Sequence, residues 1–283
     1  MPMCALSQFD VAGVRIIMDA LYGPSVPSDD VSFGFVSNFS AFLDASGKPQ
    51  DSEDLPTVAA GFIANVAAWE HFERSWNTLL AEYTIPYLQM SALHARKKPF
   101  DGDRWNGNEY MASFLDKAGR IVRSHVLAFS AAGVKNGDFR DVCKIYDLRS
   151  RFNEYALMGT ATLLSLKGKL NILRPSWPAY QTQYFVEEGD DGVGYIQDVF
   201  RGLGLDEPIR RSGKPQKGKL HLVQFQACDW LAFETRKFAI ANPRKSLRIC
   251  HRNMLQDVPG TAHQWTRDDL INYCERKNIR KLG

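Results

Sequence analysis

Apolar positions along the chain recur at two spacings, and the alternation between them sets the expected fold. Residues 33–44 are apolar or small and run into Asp44-Ala45-Ser46-Gly47, a turn sequence, so they predict a first strand. Residues 57–63 predict a second strand, across an acidic loop at 51–54. Trp69, Phe72, Trp76 and Leu79 then fall three and four apart, the period of a helix over 67–83. The same reading gives strands over 86–90, 125–131 and 181–187, and helices over 109–122, 151–166, 193–203 and 225–240. A last helix over 268–276 follows Thr266, a ready N-cap. Strands first, then alternation with helices, predict an α/β protein with a mixed β-sheet flanked by helices. At 283 residues the chain suits one large domain with extensions. Its expected parts are an N-terminal extension at 1–30, the α/β domain at 31–241 and a small basic C-terminal appendage at 242–283.

The helix over 225–240 carries the feature hardest to explain by folding alone. Asp229 has Phe225, Gln226, Ala232 and Phe233 three and four residues away, so its neighbours on the helix surface are mostly apolar. A buried ionised carboxylate costs several kcal/mol unless an Arg, a set of donors or a metal ion pairs with it. Two more acids stand where strands end, Asp44 after the first and Glu187 after the strand over 181–187. Each has a plainer role open to it: Asp44 as an Asp that bonds its own turn, Glu187 as a solvated strand end. Together with Asp229 they form a set able to converge above one end of a sheet. Mg²⁺, or Mn²⁺ in its place, takes such oxygen ligands and keeps positions open for substrate phosphates. Two such ions serve phosphodiester cleavage. Asp190, three residues past Glu187, is an alternate or outer ligand.

Charge sharpens this picture. The net charge is only +3, but residues 201–283 hold 17 Lys and Arg against 8 Asp and Glu, and the rest of the chain is acidic. That asymmetry suits a surface facing a polyanion, with Arg210, Arg211, Lys214, Lys217 and Lys219 as nucleic-acid contacts; a merely solvated surface has the same composition. The remaining composition, 45% hydrophobic and 24% charged, is that of an ordinary soluble protein. No apolar run approaches the roughly 20 residues that cross a bilayer, so no membrane partner is expected. Residues 1–21 are broken by Asp10, Arg15 and Asp19 and do not make a secretory signal. Five scattered cysteines without a Cys-x-x-Cys pair predict free thiols and a cytoplasmic setting.

Other constellations carry less. The glycine-rich run from Gly189 to Gly194 lacks the lysine of a phosphate-binding loop. Cys250, His251, His263 and Cys274 match no standard zinc spacing, and Cys228 on an apolar helix reads as a buried structural thiol.

Five short segments, in order, resemble the bacterial and phage family catalogued as domain of unknown function 3800. Asp44-Ala45-Ser46-Gly47 stands where that family has an Asp-Glu-Ser-Gly turn after its first strand. Tyr87-Leu-Gln89-Met90-Ser-Ala92-Leu93, followed by Lys98-Pro99-Phe100, is similar to its Tyr-x-His-Met-x-Asp-Phe segment. Asn153-Glu-Tyr155-Ala156 resembles an Asn-x-Tyr-Ala helix, and Val186-Glu187-Glu188-Gly189-Asp190 a Phe-Glu-x-Gly-Asp strand end. Gln226-Ala227-Cys228-Asp229 resembles a Gln-Ala-x-Asp helix. The resemblance spans about 31–240. It implies a ribonuclease-H-like fold with a metal-dependent nuclease core of Asp44, Glu187 and Asp229, supported by Ser46 and Gln226. The chain departs from the family at Ala45, Gln89 and Ala92, where the family has polar groups. Two functions are therefore expected as alternatives: a Mg²⁺-dependent nuclease acting on DNA or RNA, or a catalytically degenerate binding protein on the same frame.

Overall fold

Strand β1 (Ser37–Ser46) sits inside a six-stranded mixed sheet and pairs on both of its edges. On one side it runs antiparallel to β2 (Pro56–Asn65), which runs antiparallel to β3 (Ala128–Lys135). On the other it runs parallel to β4 (Tyr180–Glu187), itself parallel to the short β5 (Ile209–Arg211). A sixth strand, β6 (Gly260–Trp265), joins β3 in parallel, giving the order β5-β4-β1-β2-β3-β6. The computed structural model describes residues 37–173, 180–188, 192–214, 222–241 and 249–282.

Helices cover both faces. Helix α1 (Val66–Glu82), the single turn α2 (Met90–His94) and α3 (Asn108–His125) share one face with α7 (Gln224–Ile240) and α8 (Ile249–Leu255). The other face carries α4 (Asn136–Cys143), α5 (Glu154–Leu173), α6 (Val193–Gly202) and α9 (Arg267–Arg276). Because side chains alternate along a strand, Phe42 enters the first core while Ala41 and Leu43 enter the second. Strand β2 is buried along its whole length except at Asn65, as a central strand packed on both faces must be. There Asn65 turns from strand to cap, its side chain accepting the Ala68 N–H at 2.7 Å and opening α1. The stripe Trp69, Phe72, Trp76 and Leu79 is buried as its spacing requires. Helix α5 is buried on nearly every side, which fits its uniformly apolar sequence.

The structure departs from the sequence expectations at identifiable places. Residues 86–90 do not form a strand. Their backbone is engaged from α7 instead: Leu88 N–H donates to Gln226 Oε1 at 2.8 Å and Met90 N–H to Asp229 Oδ2 at 2.6 Å. Helix α3 continues to His125, so β3 starts three residues later than the apolar pattern suggested and runs to Lys135. Helices α4 and α8 and strands β5 and β6 were not anticipated, being short or weakly patterned. Residues 249–282, expected as an appendage, supply β6 to the sheet and bury Trp265, Leu270, Cys274 and Ile279 in its core. Their sequence looked peripheral because basic residues mask a few well-spaced apolar anchors. Thr266 does cap α9, in a reciprocal capping box with Asp269. The expected extension at 1–30 lies outside the described residues. No helix among the described residues is long and apolar enough to cross a membrane.

Candidate active site

Asp44 and Glu187 are brought side by side by strand register. Leu43 pairs with Val186 between parallel β1 and β4, so the two acids sit one position beyond the last pair, at the carboxyl ends of neighbouring strands. Two residues earlier Phe42 and Phe185 stack at 4.8 Å beneath α7, and alternation sends Asp44 and Glu187 to that same face. Here the chain's strand order turns back, β2 and β3 lying to one side of β1 and β4 and β5 to the other. Crevices at such reversal points are where α/β sheets bind ligands.

Helix α7 supplies the third acid. Cys228 Sγ donates to Phe42 O at 3.3 Å and the ring of Phe225 meets Phe42 edge-on at 5.4 Å, laying the helix against β1. Asp229 follows directly, and all three carboxylates line one cleft of about 370 Å³. Asp44 is buried, with Oδ1 accepting the Ala45 N–H at 2.6 Å. Glu187 Oε1 accepts from Gly213 N at 3.3 Å, and Asp229 Oδ2 from Met90 N at 2.6 Å. The second oxygens of Glu187 and Asp229 have no hydrogen-bond partner among the described residues. No three His, Cys, Asp or Glu side chains among the described residues are grouped tightly enough to hold a metal ion directly as they stand.

Burial pushes the Asp229 carboxyl up to about 7, and the neighbouring Glu187 charge adds to the rise against the opposing Met90 N–H and Lys214. Burial also lifts the Cys228 thiol well above its ordinary value, aided by the charges of Asp44, Glu187 and Asp229. That thiol is a structural one, enclosed and hydrogen-bonded. Arg236, seven residues along the same helix, does not pair with Asp229: Nε donates to Pro56 O at 2.9 Å and Nη2 to Asp51 Oδ2 at 2.7 Å.

Around the acids, Ser46, Gly47, Lys48 and Asp51 form one wall, and Gly213 and Lys214 part of another. Gln226, 2% exposed, ties three segments together: Oε1 accepts from Trp76 Nε1 at 2.9 Å and Leu88 N at 2.8 Å, while Nε2 donates to Gly213 O at 3.1 Å. Gly213 has no space for a side chain; a Cβ there would stand 2.6 Å from the Cβ of Phe225 and 3.1 Å from Glu187 Oε1. Of the expected nucleic-acid contacts, Lys214 lines the cleft. Arg210 and Arg211 do not: they sit on β5, bonded to Gln197 Oε1 and Arg210 O respectively. Neighbouring strand residues face opposite sides, and Arg210 reaches Gln197 on α6. Arg211, paired in register with Glu187, shares the acids' face but is bonded to the Arg210 carbonyl and does not line the cleft. Asp190, Lys217 and Lys219 lie outside the described residues. Ala45 and Gln89 line the cleft where the resemblance has polar groups, whereas Ala92 is buried in α2 and does not.

Sequence reasoning missed Lys48, Asp51, Ser91, Gly213 and Arg236 as cleft residues. The signal for Arg236 was present: it follows Asp229 by seven positions and Phe233 by three, on one helical stripe. Gly47 has φ +93°, and a Cβ there would meet Pro56 O at 2.6 Å and Arg236 Nε at 2.7 Å. Gly47→Ala is therefore expected to destabilise the protein by about 1–3 kcal/mol, read as a fall in urea midpoint, through strain and displacement of Arg236. An unchanged midpoint would show that this turn relaxes freely.

No protein-family model, curated protein or solved structure matches this chain.

Proposed function

We propose that the cleft is the site of a Mg²⁺- or Mn²⁺-dependent phosphodiesterase acting on nucleic acid, built on a ribonuclease-H-like frame. The observation that carries this reading is the gathering of Asp44, Glu187 and Asp229 at the strand-order reversal. A first-strand Asp, a later-strand acid and a helix Asp are what the sequence resemblance implies. Antiparallel β1, β2 and β3, with α1 to α3 inserted between β2 and β3, extended on β1 by parallel β4 and β5, support the same frame.

The donor set fits a hard cation. Mg²⁺ keeps several waters and is held through one or two carboxylates plus substrate phosphate, so a tight three-ligand cage is not required. Asp229 and Glu187 each present an oxygen that meets no donor among the described residues, and Asp44 stands beside them. When bound, such an ion supplies charge neutralisation at the phosphate and activation of the attacking water. Asp229, with its carboxyl near 7, holds or releases a proton close to neutral pH. Lys214 places a cation beside it for the substrate backbone. Cys143, Cys228 and Cys274 are free thiols, which suits a reducing, cytoplasmic setting.

The second reading, a non-catalytic nucleic-acid-binding protein, is favoured by Ala45 and Gln89 at the cleft. Thermal melting and cleavage of a labelled oligonucleotide, with and without Mg²⁺ or Mn²⁺, separate the two. Wild type should gain stability with either ion and cleave. Asp44→Asn and Glu187→Gln should lose more than about 100-fold of the cleavage rate and most of the ion-induced stabilisation. A wild type that binds oligonucleotide but ignores both ions would establish the binding reading instead.

A further inference from the structure

Lys48 and Lys214 stand on different loops of the cleft with their backbones fixed and their side chains uncommitted. Lys48 N–H donates to Asp51 Oδ2 at 3.0 Å, and its carbonyl accepts from Asp51 N at 2.9 Å and Asn136 Nδ2 at 3.0 Å. Asp51 is held in turn by Arg236, and Arg140 Nη2 clasps Pro49 O at 2.6 Å. The turn carrying Lys48 is thus latched from α7 and from α4. Lys214 is fixed by Ser212, whose hydroxyl donates to Lys214 O at 3.1 Å and accepts its N–H at 3.2 Å.

Neither ammonium makes an ion pair or hydrogen bond among the described residues, although Asp44, Asp51, Glu187 and Asp229 line the same cleft. Both lysines are exposed. An ammonium that closes to 4 Å of a carboxylate gains about 1–4 kcal/mol near a surface, so two that stay apart leave positive charge on both sides of an acidic centre. Acids flanked by cations suit a chain of phosphates, with one phosphate at the acids and its neighbours at the lysines. A phosphomonoester or an isolated phosphodiester offers nothing for the second lysine.

Resting on the phosphodiesterase reading above, we propose that Lys48 and Lys214 bind the phosphates on either side of the one at Asp44, Glu187 and Asp229. The substrate is then an internal linkage of a polynucleotide that crosses the cleft from the loop after β5 to the β1–β2 turn. In this assignment the Asp51–Arg236 pair positions Lys48, and Arg210 and Arg211 lie off the path.

The test is the salt dependence of binding to a fluorescent single-stranded oligonucleotide, measured by anisotropy in chelator. Each phosphate contact on a single strand contributes about 0.7 to the slope of log K against log salt. Lys48→Ala and Lys214→Ala should each lower the slope by about 0.7, and the double variant by about 1.4. Lys48→Arg should restore it. Lys144→Ala, whose ammonium pairs with Asp141 on α4, serves as the control and should leave it unchanged. Unaltered slopes in Lys48→Ala and Lys214→Ala, or no binding by wild type at low salt, would overturn the proposal. The phosphodiesterase reading fails separately, through indifference of wild type to Mg²⁺ and Mn²⁺. An unchanged slope in a protein that still cleaves with those ions sinks the lysine assignment alone.

Discussion

In chelator near pH 8, Asp229→Asn should be more stable than wild type, and near pH 4 the difference should vanish. The ordinary aspartate value lies near 3.8 and the folded one at about 7, so the folded protein holds the proton more tightly than the unfolded chain does. Stability from this group is fully present below pH 4 and is lost as pH climbs through 7. At about 1.36 kcal/mol per unit of pKa, ionising Asp229 costs the fold up to about 4 kcal/mol. Part of the residue faces the solvent of the cleft, which makes that figure an upper bound. Asn keeps an oxygen to accept the Met90 N–H and carries no charge, so it removes the penalty without removing the bond. Melting temperatures at pH 8 should rise by roughly 4 °C or more. Added Mn²⁺ should reverse the order, stabilising wild type and leaving the variant alone. Should Asp229→Asn melt earlier than wild type in chelator at pH 8, Asp229 is a satisfied structural acid and the metal reading loses its central ligand.

Gln226→Leu should produce the largest loss of stability among single changes at the cleft. The amide direction is fixed by its surroundings, with two N–H groups, from Trp76 and Leu88, meeting the oxygen and the Gly213 carbonyl meeting the nitrogen. Leucine fills a similar volume and satisfies none of them. Each buried group left unpaired costs about 1–3 kcal/mol, so the sum reaches roughly 3–6 kcal/mol even with some relaxation. Urea unfolding followed by tryptophan fluorescence reads this directly, since Trp76 is one of the partners. A midpoint within error of wild type would mean that water replaces the glutamine. The same variant loosens the segment ahead of α2 and the loop after β5, so the response to divalent ions should weaken with the fold.

Much of this architecture was legible in the chain because burial is written in spacing. Trp69, Phe72, Trp76 and Leu79 fix α1, and the Phe-Val-Glu end of β4 fixes where Glu187 emerges. The meeting of Asp44, Glu187 and Asp229 at one cleft was legible for a related reason: each acid ends or interrupts an apolar run, and such runs converge on one core. What escaped was whatever depends on side chains replacing backbone partners. Residues 86–90 have strand-like composition, but Gln226 and Asp229 take their N–H groups before any neighbouring strand does. The wall formed by Lys48, Asp51 and Arg236 escaped because its bonds join residues about 185 positions apart, which no local pattern records. Strand β6 escaped because its edge position leaves most of its residues only partly buried, so alternation is faint.

The place of β6 also bears on how the chain is made. As synthesis proceeds from the N-terminus, β1 and β2 emerge first and can pair, and β3 joins them after α1, α2 and α3 have followed. The outer edge of β3 then stays uncovered until more than a hundred further residues have followed, when Gly260–Trp265 reaches it. The opposite edge of β1 waits similarly for Tyr180–Glu187. Edges left open through such long intervals are templates for pairing with other nascent chains, and pairings between distant segments form slowly. Ribosome-bound chains ending before residue 260 should therefore be the aggregation-prone species, and arrival of Gly260–Trp265 the event that closes the β3 edge.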